Sequence, residues 1–271
     1  MTPPRARREP PPFRRLDVRG TESVSPYMTR VILGGAELEG FHVDEPAASV
    51  RLLLPTEGEL VVPRWNGNEF LLGDGSRPVI RTFTPRRFDR ESRELHLDVV
   101  LHRSGAASAW ATTTQSGDRV AVSGPGRGYD IDPNTTAFLL VGDETAIPAV
   151  CQLLEHLPSV PIVVHLMVTH PDAKVDLHRH VDVTWHVASD ASTTDQTLAA
   201  AIEETDLVPD MRIWAAGEAA AMHRIRRHLF GERGFPRSHA TVRGYWKRNR
   251  QRIEPNSTSP GSRSQSTDMP G

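Results

Sequence analysis

The rhythm of apolar and polar positions changes near residue 133, and the change predicts two halves built in different ways. Before it, apolar residues come in short runs cut by glycine or proline. MTRVILGG (28–35) ends in a Gly-Gly break, and SVRLLLP (49–55) ends at proline. ELHLDVVLH (94–102) alternates: Leu95, Leu97, Val99 and Leu101 share one face of a strand, while His96, Asp98 and His102 take the other. GDRVAVSGPGRGYD (117–130) reads as turn, strand, turn. Several short strands at close spacing over 13–132 predict a small antiparallel β-barrel.

From about 133 strands and helices alternate. TAFLLVGDETAIPAVCQLLEHLP (136–158) is an apolar strand, a tight loop and a helix that ends before Pro158. VPIVVHLMVTH and VDVTWHVAS read as further strands, TTDQTLAAAIEET as a helix and MRIWAAGE as another strand. EAAAMHRIRRHLFGERG is a helix closed by Gly231 or Gly234. Alternation of this kind implies a parallel, doubly wound α/β sheet with right-handed crossovers. Ligands of such sheets sit beyond the carboxyl ends of the strands, here GDETA and AGE.

Length and charge narrow the picture. With 271 residues, two domains sharing a cleft are expected, at 13–132 and 133–248. Residues 1–12 and 249–271 are proline- or serine-rich and nearly free of apolar residues, and are read as solvated ends. Deleting 255–271 is expected to leave the thermal midpoint unchanged; a clear fall would show that the tail docks on the body. The net charge of −2 gives no global field for nucleic acid, so any anion site must be a local patch. The longest apolar runs are too short to span a bilayer, and the basic, proline-rich start lacks a signal-peptide core. A cytoplasmic monomer without membrane insertion is expected. Cys151 is the single cysteine, which excludes an intramolecular disulfide and a cysteine metal cage.

Four stretches invite a chemical reading. In IRTFTPRRFD (80–89), Arg81 and Phe83 leave the same face of a strand and Thr84 follows. An arginine fork suits phosphate, a ring suits a flat heterocycle and a hydroxyl suits a ring nitrogen, a set that fits a flavin dinucleotide. Taken alone, the stretch reads more simply as an exposed strand with a surface Arg–Asp pair. HRSGAASAWA (102–111) is a loop of small residues opening a helix, where backbone N–H groups can approach a pyrophosphate and Ser104 and Ser108 add donors. An ordinary helix cap by Ser104 or Ser108 reads the same residues, and both can hold together. GDETAIPA (142–149) carries Asp143, Glu144 and Thr145 where a dinucleotide fingerprint has glycines; acids there serve equally well as helix caps. The histidines, HRH at 178–180 and His223 with His228 included, lack metal-ligand spacing and read as surface residues, so no metal is expected. No nucleophile elbow or P-loop occurs.

Taken in order, RTFTPRRFD, LDVVLHRSGAASAWA, GDRVAVSGPGRG, FLLVGDETAIPAVCQLLEHLP, IWAAGEAAAMHRIRRHL and GYWKR resemble the siderophore-interacting protein family, the ferric-siderophore reductase branch of the ferredoxin-reductase superfamily. The resemblance covers roughly 13–248 and implies an FAD-binding barrel followed by an NAD(P)H-binding domain. It assigns Arg81 to flavin phosphate, Phe83 to ring stacking and Thr84 to the flavin N5 region. It places further FAD contacts along His102, Ser104, Gly105, Ala107 and Ser108. Asp143, Glu144, Thr145, Ala146, Gly217 and Glu218 are implied to face the nicotinamide nucleotide, and Tyr245-Trp246 to close over the flavin. Thr84, Asp143 and Glu144 stand nearest the chemistry, as positioning groups.

Three departures concern the flavin motifs: Phe83 stands for the usual Tyr, Arg103 for Gly, and Ala106-Ala107 for Pro-Ala. Arg51 and Arg127 match basic positions on the substrate side, and Arg243 or Lys247 a third. The resemblance implies electron transfer from NADPH or NADH through FAD to a ferric siderophore. A flavin reductase with another acceptor and a non-enzymatic siderophore-binding module stay open beside it. Lys174 alone, in VTHPDAK, could greet a 2′-phosphate, which leaves the choice of nucleotide open.

Overall fold

In the computed structural model, residues 9–55, 59–102, 105–177, 181–188 and 194–248 are described. The alternating segments form β1 (Phe13–Ser25), β2 (Met28–Gly34), β3 (Val50–Leu53), β4 (Arg64–Trp65), β5 (Phe70–Leu71), β6 (Ile80–Phe83), β7 (Pro85–Asp89), β8 (Glu94–Val100) and β9 (Arg119–Ser123). β4 and β5 make a small ladder of their own; the others form one antiparallel sheet in the order β6-β3-β9-β1-β2-β8-β7. Its two edge strands, β6 and β7, are separated only by Thr84, so the chain itself bridges the seam between the sheet's edges at that residue. IRTFTPRRFD is therefore the seam of the barrel. Leu16, Leu33, Leu52, Leu95, Leu97 and Val122 fill the interior. Between β8 and β9 runs α1 (Ala106–Thr113), whose Trp110 and Ala111 pack on the same core. Residues 9–12 are described too, and Ser123 donates to the Pro11 carbonyl at 2.5 Å.

One face of β8 departs from the alternation. Asp98 lies on the face opposite Leu95 and Leu97, yet it is buried and takes a two-pronged bond from Arg30 at 2.7 and 2.9 Å. The reason is tertiary: the second half covers that side. Met28 and Val100 join the cluster of the first α/β helix, and Arg86 pairs with Glu155 at 2.6 Å.

The second half is a parallel sheet of β10 (Ala137–Asp143), β11 (Ile162–Val168), β12 (Val183–Val187), β13 (Met211–Glu218) and β14 (Ala240–Trp246), in the order β12-β11-β10-β13-β14. Every residue of β10 is buried, as expected of a central strand covered on both faces. Phe138, Leu140 and Leu166 face α2 (Ile147–His156); Leu139, Val141 and Ile213 face α3 (Thr194–Glu203) and α4 (Ala219–Arg227). This is the doubly wound arrangement the alternation predicts. α4 passes into a single π turn, His228–Glu232, and the chain turns at Gly234, whose φ is +61° and where Phe235 N–H reaches the Leu229 carbonyl at 2.7 Å. Of the two candidate glycines, Gly234 is the stop. α2 lies between sheet and barrel, where its Gln152 side chain accepts from Ala47 N–H at 2.8 Å, so the halves share one core. No helix among the described residues is long and apolar enough to cross a membrane.

A histidine pair on the α3 side predicts a pH dependence. His186 Nε2 lies 3.1 Å from His165 Nδ1, and His165 Nε2 lies 3.2 Å from the Thr205 hydroxyl, which itself donates to the Ala201 carbonyl. Burial pushes both imidazoles below their ordinary value, and the charge of His186 pushes His165 further. The unfolded chain therefore binds more protons, and the stabilisation from these neutral rings is lost as pH falls below about 6.5. Denaturant unfolding should show that loss in the wild type and a flatter slope in His165→Gln/His186→Gln. Equal slopes would refute the assignment.

Candidate functional site

The barrel seam supplies the first group of side chains. Arg81 stands opposite Leu52 and Phe83 opposite Val50, so the two share one face as the strand period requires. Phe83 is half-buried against the barrel core, whereas Arg81 is exposed and donates to the carbonyl of its neighbour Ile80 at 2.9 Å. Thr84, where the chain crosses from one edge to the other, is buried, and its hydroxyl lies 3.5 Å from the Tyr245 hydroxyl on β14. Burial raises the Tyr245 phenol above its ordinary value.

The start of α1 is the second element. Gly105 has φ +120°, and a Cβ there would lie 2.6 Å from His102 Cε1, so no side chain fits without moving the imidazole. As N-cap residue it offers no side chain, and the first N–H groups of α1 have no side-chain acceptor from that position. Ser108, one of the two proposed caps, works elsewhere: its hydroxyl accepts from His102 N–H at 2.9 Å and donates to the His102 carbonyl at 2.8 Å. It closes the loop and does not cap the helix start. Ala107 is half-buried beside it; Arg103 and Ser104 lie outside the described residues. Helix-start N–H groups among residues this small fit a pyrophosphate.

The strand ends of the α/β half make the third element, and its acids are already engaged. The Asp143 carboxylate accepts four bonds: from Thr145 N–H at 2.9 Å, the Thr145 hydroxyl at 2.5 Å, Glu218 N–H at 2.8 Å and Trp246 Nε1–H at 2.8 Å. Burial raises its pKa against the pull of those donors. Gly217 allows this approach, since a Cβ there would sit 2.5 Å from Asp143 Oδ2. Glu144 accepts from Thr169 N–H and from its hydroxyl at 2.8 Å, tying the end of β11 to the start of α2. Glu218 caps α4 through Ala220 and Ala221 and holds Arg248 N–H at 3.1 Å. Ala146 is fully buried behind this loop. The acids are caps and braces that fix Trp246 and the chain after it, a link between residues 103 apart that no local pattern signals. Asp143→Ala should lower the unfolding free energy by about 3 kcal/mol, and Trp246→Phe by about 1 kcal/mol, measured by denaturant unfolding. An unchanged midpoint in Asp143→Ala would show that these bonds carry no weight.

The basic residues divide. Arg127 and Arg243 line one cavity of about 430 Å³ between the loop after β9 and the start of β14, together with Arg212 and His239. Arg243 is anchored across the halves, donating to the Gly128 carbonyl at 3.0 Å, and Arg212 pairs with Asp132 at 2.6 Å. Arg51 is outside that wall but near it: it pairs in register with Ser123, and Ser49 accepts from Gly126 N–H at 2.6 Å. Lys247 is exposed beyond Trp246 and is not part of the wall. Sequence reasoning missed Arg212 and His239; the one cation inside the otherwise apolar MRIWAA was the available signal.

Known proteins resemble both halves of the chain. Residues 17–129 match the siderophore-interacting FAD-binding domain, and residues 135–249 match the siderophore-interacting protein family. The NADPH-dependent ferric-chelate reductase of Escherichia coli is 31% identical over 242 residues, 86% of this chain and 92% of that protein. The crystal structure of a siderophore utilization protein from T. fusca superposes with a TM-score of 0.79 at 35% identity, covering 91% of this chain and 97% of the other. A ferredoxin NADP+ reductase from Neisseria gonorrhoeae with bound FAD and NADP shares the fold at 12% identity, with a TM-score of 0.59 over 86% of this chain and 99% of that one. The chain belongs to the siderophore-interacting protein family, with a ferredoxin-reductase-like fold whose barrel half is the family's FAD-binding domain.

Proposed function

We propose that this protein takes electrons from NADPH or NADH and passes them through FAD to a ferric siderophore, releasing iron as Fe(II) in the cytoplasm. The observation that carries the reading is the position of the Tyr245-Trp246 dipeptide. Tyr245 reaches Thr84 in the barrel seam while Trp246 is bonded to Asp143 at the end of β10. One dipeptide thus joins the flavin motif to the strand ends where a nucleotide binds in such sheets.

When bound, FAD supplies a ring that accepts two electrons and releases them singly. The chain's own work is placement. Arg81 and the helix-start N–H groups from Gly105 to Ser108 would hold phosphate, Phe83 offers a ring face, and Thr84 presents a hydroxyl beside it. His102 and Ser108 keep the loop closed; Ser104 is assigned to the same loop. Asp143, Glu144, Thr145, Ala146, Gly217 and Glu218 shape the ledge for the nicotinamide nucleotide, through the backbone they fix more than through free carboxylates. Tyr245 and Trp246 bound it. Arg51, Arg127 and Arg243 give the acceptor side a positive field suited to an anionic chelate too large for a closed pocket; Lys247, past the far end of β14, is the weaker candidate for that role. Hard oxygen ligands favour Fe(III), so reduction loosens the complex.

The test is an anaerobic titration of the purified protein with NADPH and with NADH, followed by a ferric siderophore and an Fe(II) chelator. Yellow protein should bleach with at least one nucleotide and recolour on adding the siderophore, with a faster Fe(II) signal than ferric citrate gives. Protein that binds no flavin, or that favours neither chelate, would overturn the reading.

A further inference from the structure

The cavity of about 430 Å³ between the halves has a lopsided wall, rich in donors and poor in everything else. Two of its arginines are held by the protein. Arg212 gives one nitrogen to Asp132 at 2.6 Å, and Arg243 gives one to the Gly128 carbonyl at 3.0 Å. Four other donors are unclaimed: the side chains of Arg127, Ser238, His239 and Thr241 have no hydrogen-bond partner among the described residues. Acceptors are few. Asp132 is occupied by Arg212 and by Asn134 N–H at 3.0 Å, which leaves Asp130 as the open acid of the wall. Apolar surface is scarce as well, because the Tyr129 ring is buried in the shared core.

We propose that the acceptor gripped by this cavity is a carboxylate-type ferric chelate, its iron held by α-hydroxycarboxylates. The proposal rests on the ferric-siderophore reading above and names the chemical class within it. A catecholate or a hydroxamate spends both oxygens on the metal, so such chelates turn carbon outward. An iron-bound carboxylate keeps its second oxygen for a guanidinium, an imidazole or a hydroxyl, which is what this wall supplies. Charge alone would favour a tris-catecholate, but its outward rings would find no flat apolar face here. A single chelator that fixes its carboxylates around one iron also meets the wall as one body, which separate citrate ligands do not. The placement fits electron transfer. Arg243 stands two residues before Tyr245 on β14, about 7 Å along the strand, so the chelate stays near the residue that reaches Thr84.

Gallium(III) copies the shape and charge of a ferric chelate and takes no electron, so binding can be read apart from reduction. The purified full chain is titrated calorimetrically with the gallium complexes of rhizoferrin (carboxylate), enterobactin (catecholate) and desferrioxamine B (hydroxamate). Wild type should bind gallium rhizoferrin about tenfold more tightly than either of the others. Ser238→Ala/His239→Ala changes an exposed and a half-exposed residue of the turn before β14, and the thermal midpoint checks its fold. It should weaken gallium rhizoferrin about tenfold and move gallium enterobactin by less than about twofold. Thr241→Val, which keeps the side-chain shape, should weaken the carboxylate chelate in the same sense and carries the test should the double variant fail to fold. Enterobactin binding as tightly as rhizoferrin, or a rhizoferrin constant unchanged by these substitutions, would overturn the proposal while leaving the reductase reading in place. Protein that binds none of the three chelates would overturn the siderophore reading, and this proposal with it.

Discussion

Arg81→Ala protein is expected to emerge from purification with little bound FAD. The loss of a two-pronged, charge-assisted phosphate contact should cost about 1.5–3 kcal/mol, ten- to a hundredfold in affinity. The structure makes this a binding effect rather than a folding one. Arg81 is exposed on an edge strand, and its recorded bond goes to the carbonyl of its own neighbour Ile80. The barrel interior opposite it is held by Leu52 and its neighbours, which the substitution does not touch. The thermal midpoint of the apoprotein should therefore match that of wild type. Arg81→Lys should fall between the two, because an ammonium keeps the charge and loses the planar fork. Near-normal flavin occupancy of Arg81→Ala after dialysis would count against the motif.

How far the sequence carries this reading depends on whether each signal is local. The period-two pattern of ELHLDVVLH and the buried run FLLVGD both became strands, because one covered face or two is enough to dictate those patterns. β14 went unread: ATVRGYW mixes polar and apolar residues without a clean period, since its sides meet α4, the barrel and the end of β13. Asp98 misled for the complementary reason. Alternation within one half says nothing of the other half that later buries it.

The site follows the same division. Arg81, Phe83 and Thr84 fall within one strand and its turn, so their grouping was visible. The choice between cap and ligand contact at GDETA was not, because the decisive donors come from Thr169, Glu218 and Trp246. Carboxylates beside a proposed nucleotide site look repulsive in sequence; bonded inward, they brace the strand ends instead.

Arg51→Ala/Arg127→Ala should raise the KM for an anionic ferric siderophore about tenfold while sparing FAD binding and flavin reduction by nicotinamide. These two are chosen over Arg243 because Arg243 ties β14 to the Gly128 carbonyl, and its loss would disturb the joint between the halves. Arg127 is exposed, Arg51 half-exposed, and neither has an acidic partner among the described residues, so their charge is available to a ligand. A field of this kind acts mainly on encounter, and exposed charges are screened within about 10 Å at 0.1 M salt. Wild-type kcat/KM should therefore fall as salt rises, the double variant should show a flatter dependence, and the two should converge at high salt. Flavin content and the rate of anaerobic bleaching by NADPH or NADH serve as internal controls, since both depend on the seam and the strand ends and not on this patch. Surface arginines are often energetically neutral, and in that case the two proteins would share one KM and one salt slope. That result would remove the patch from the acceptor site and leave the cavity beside Arg212 and His239 without its assigned ligand.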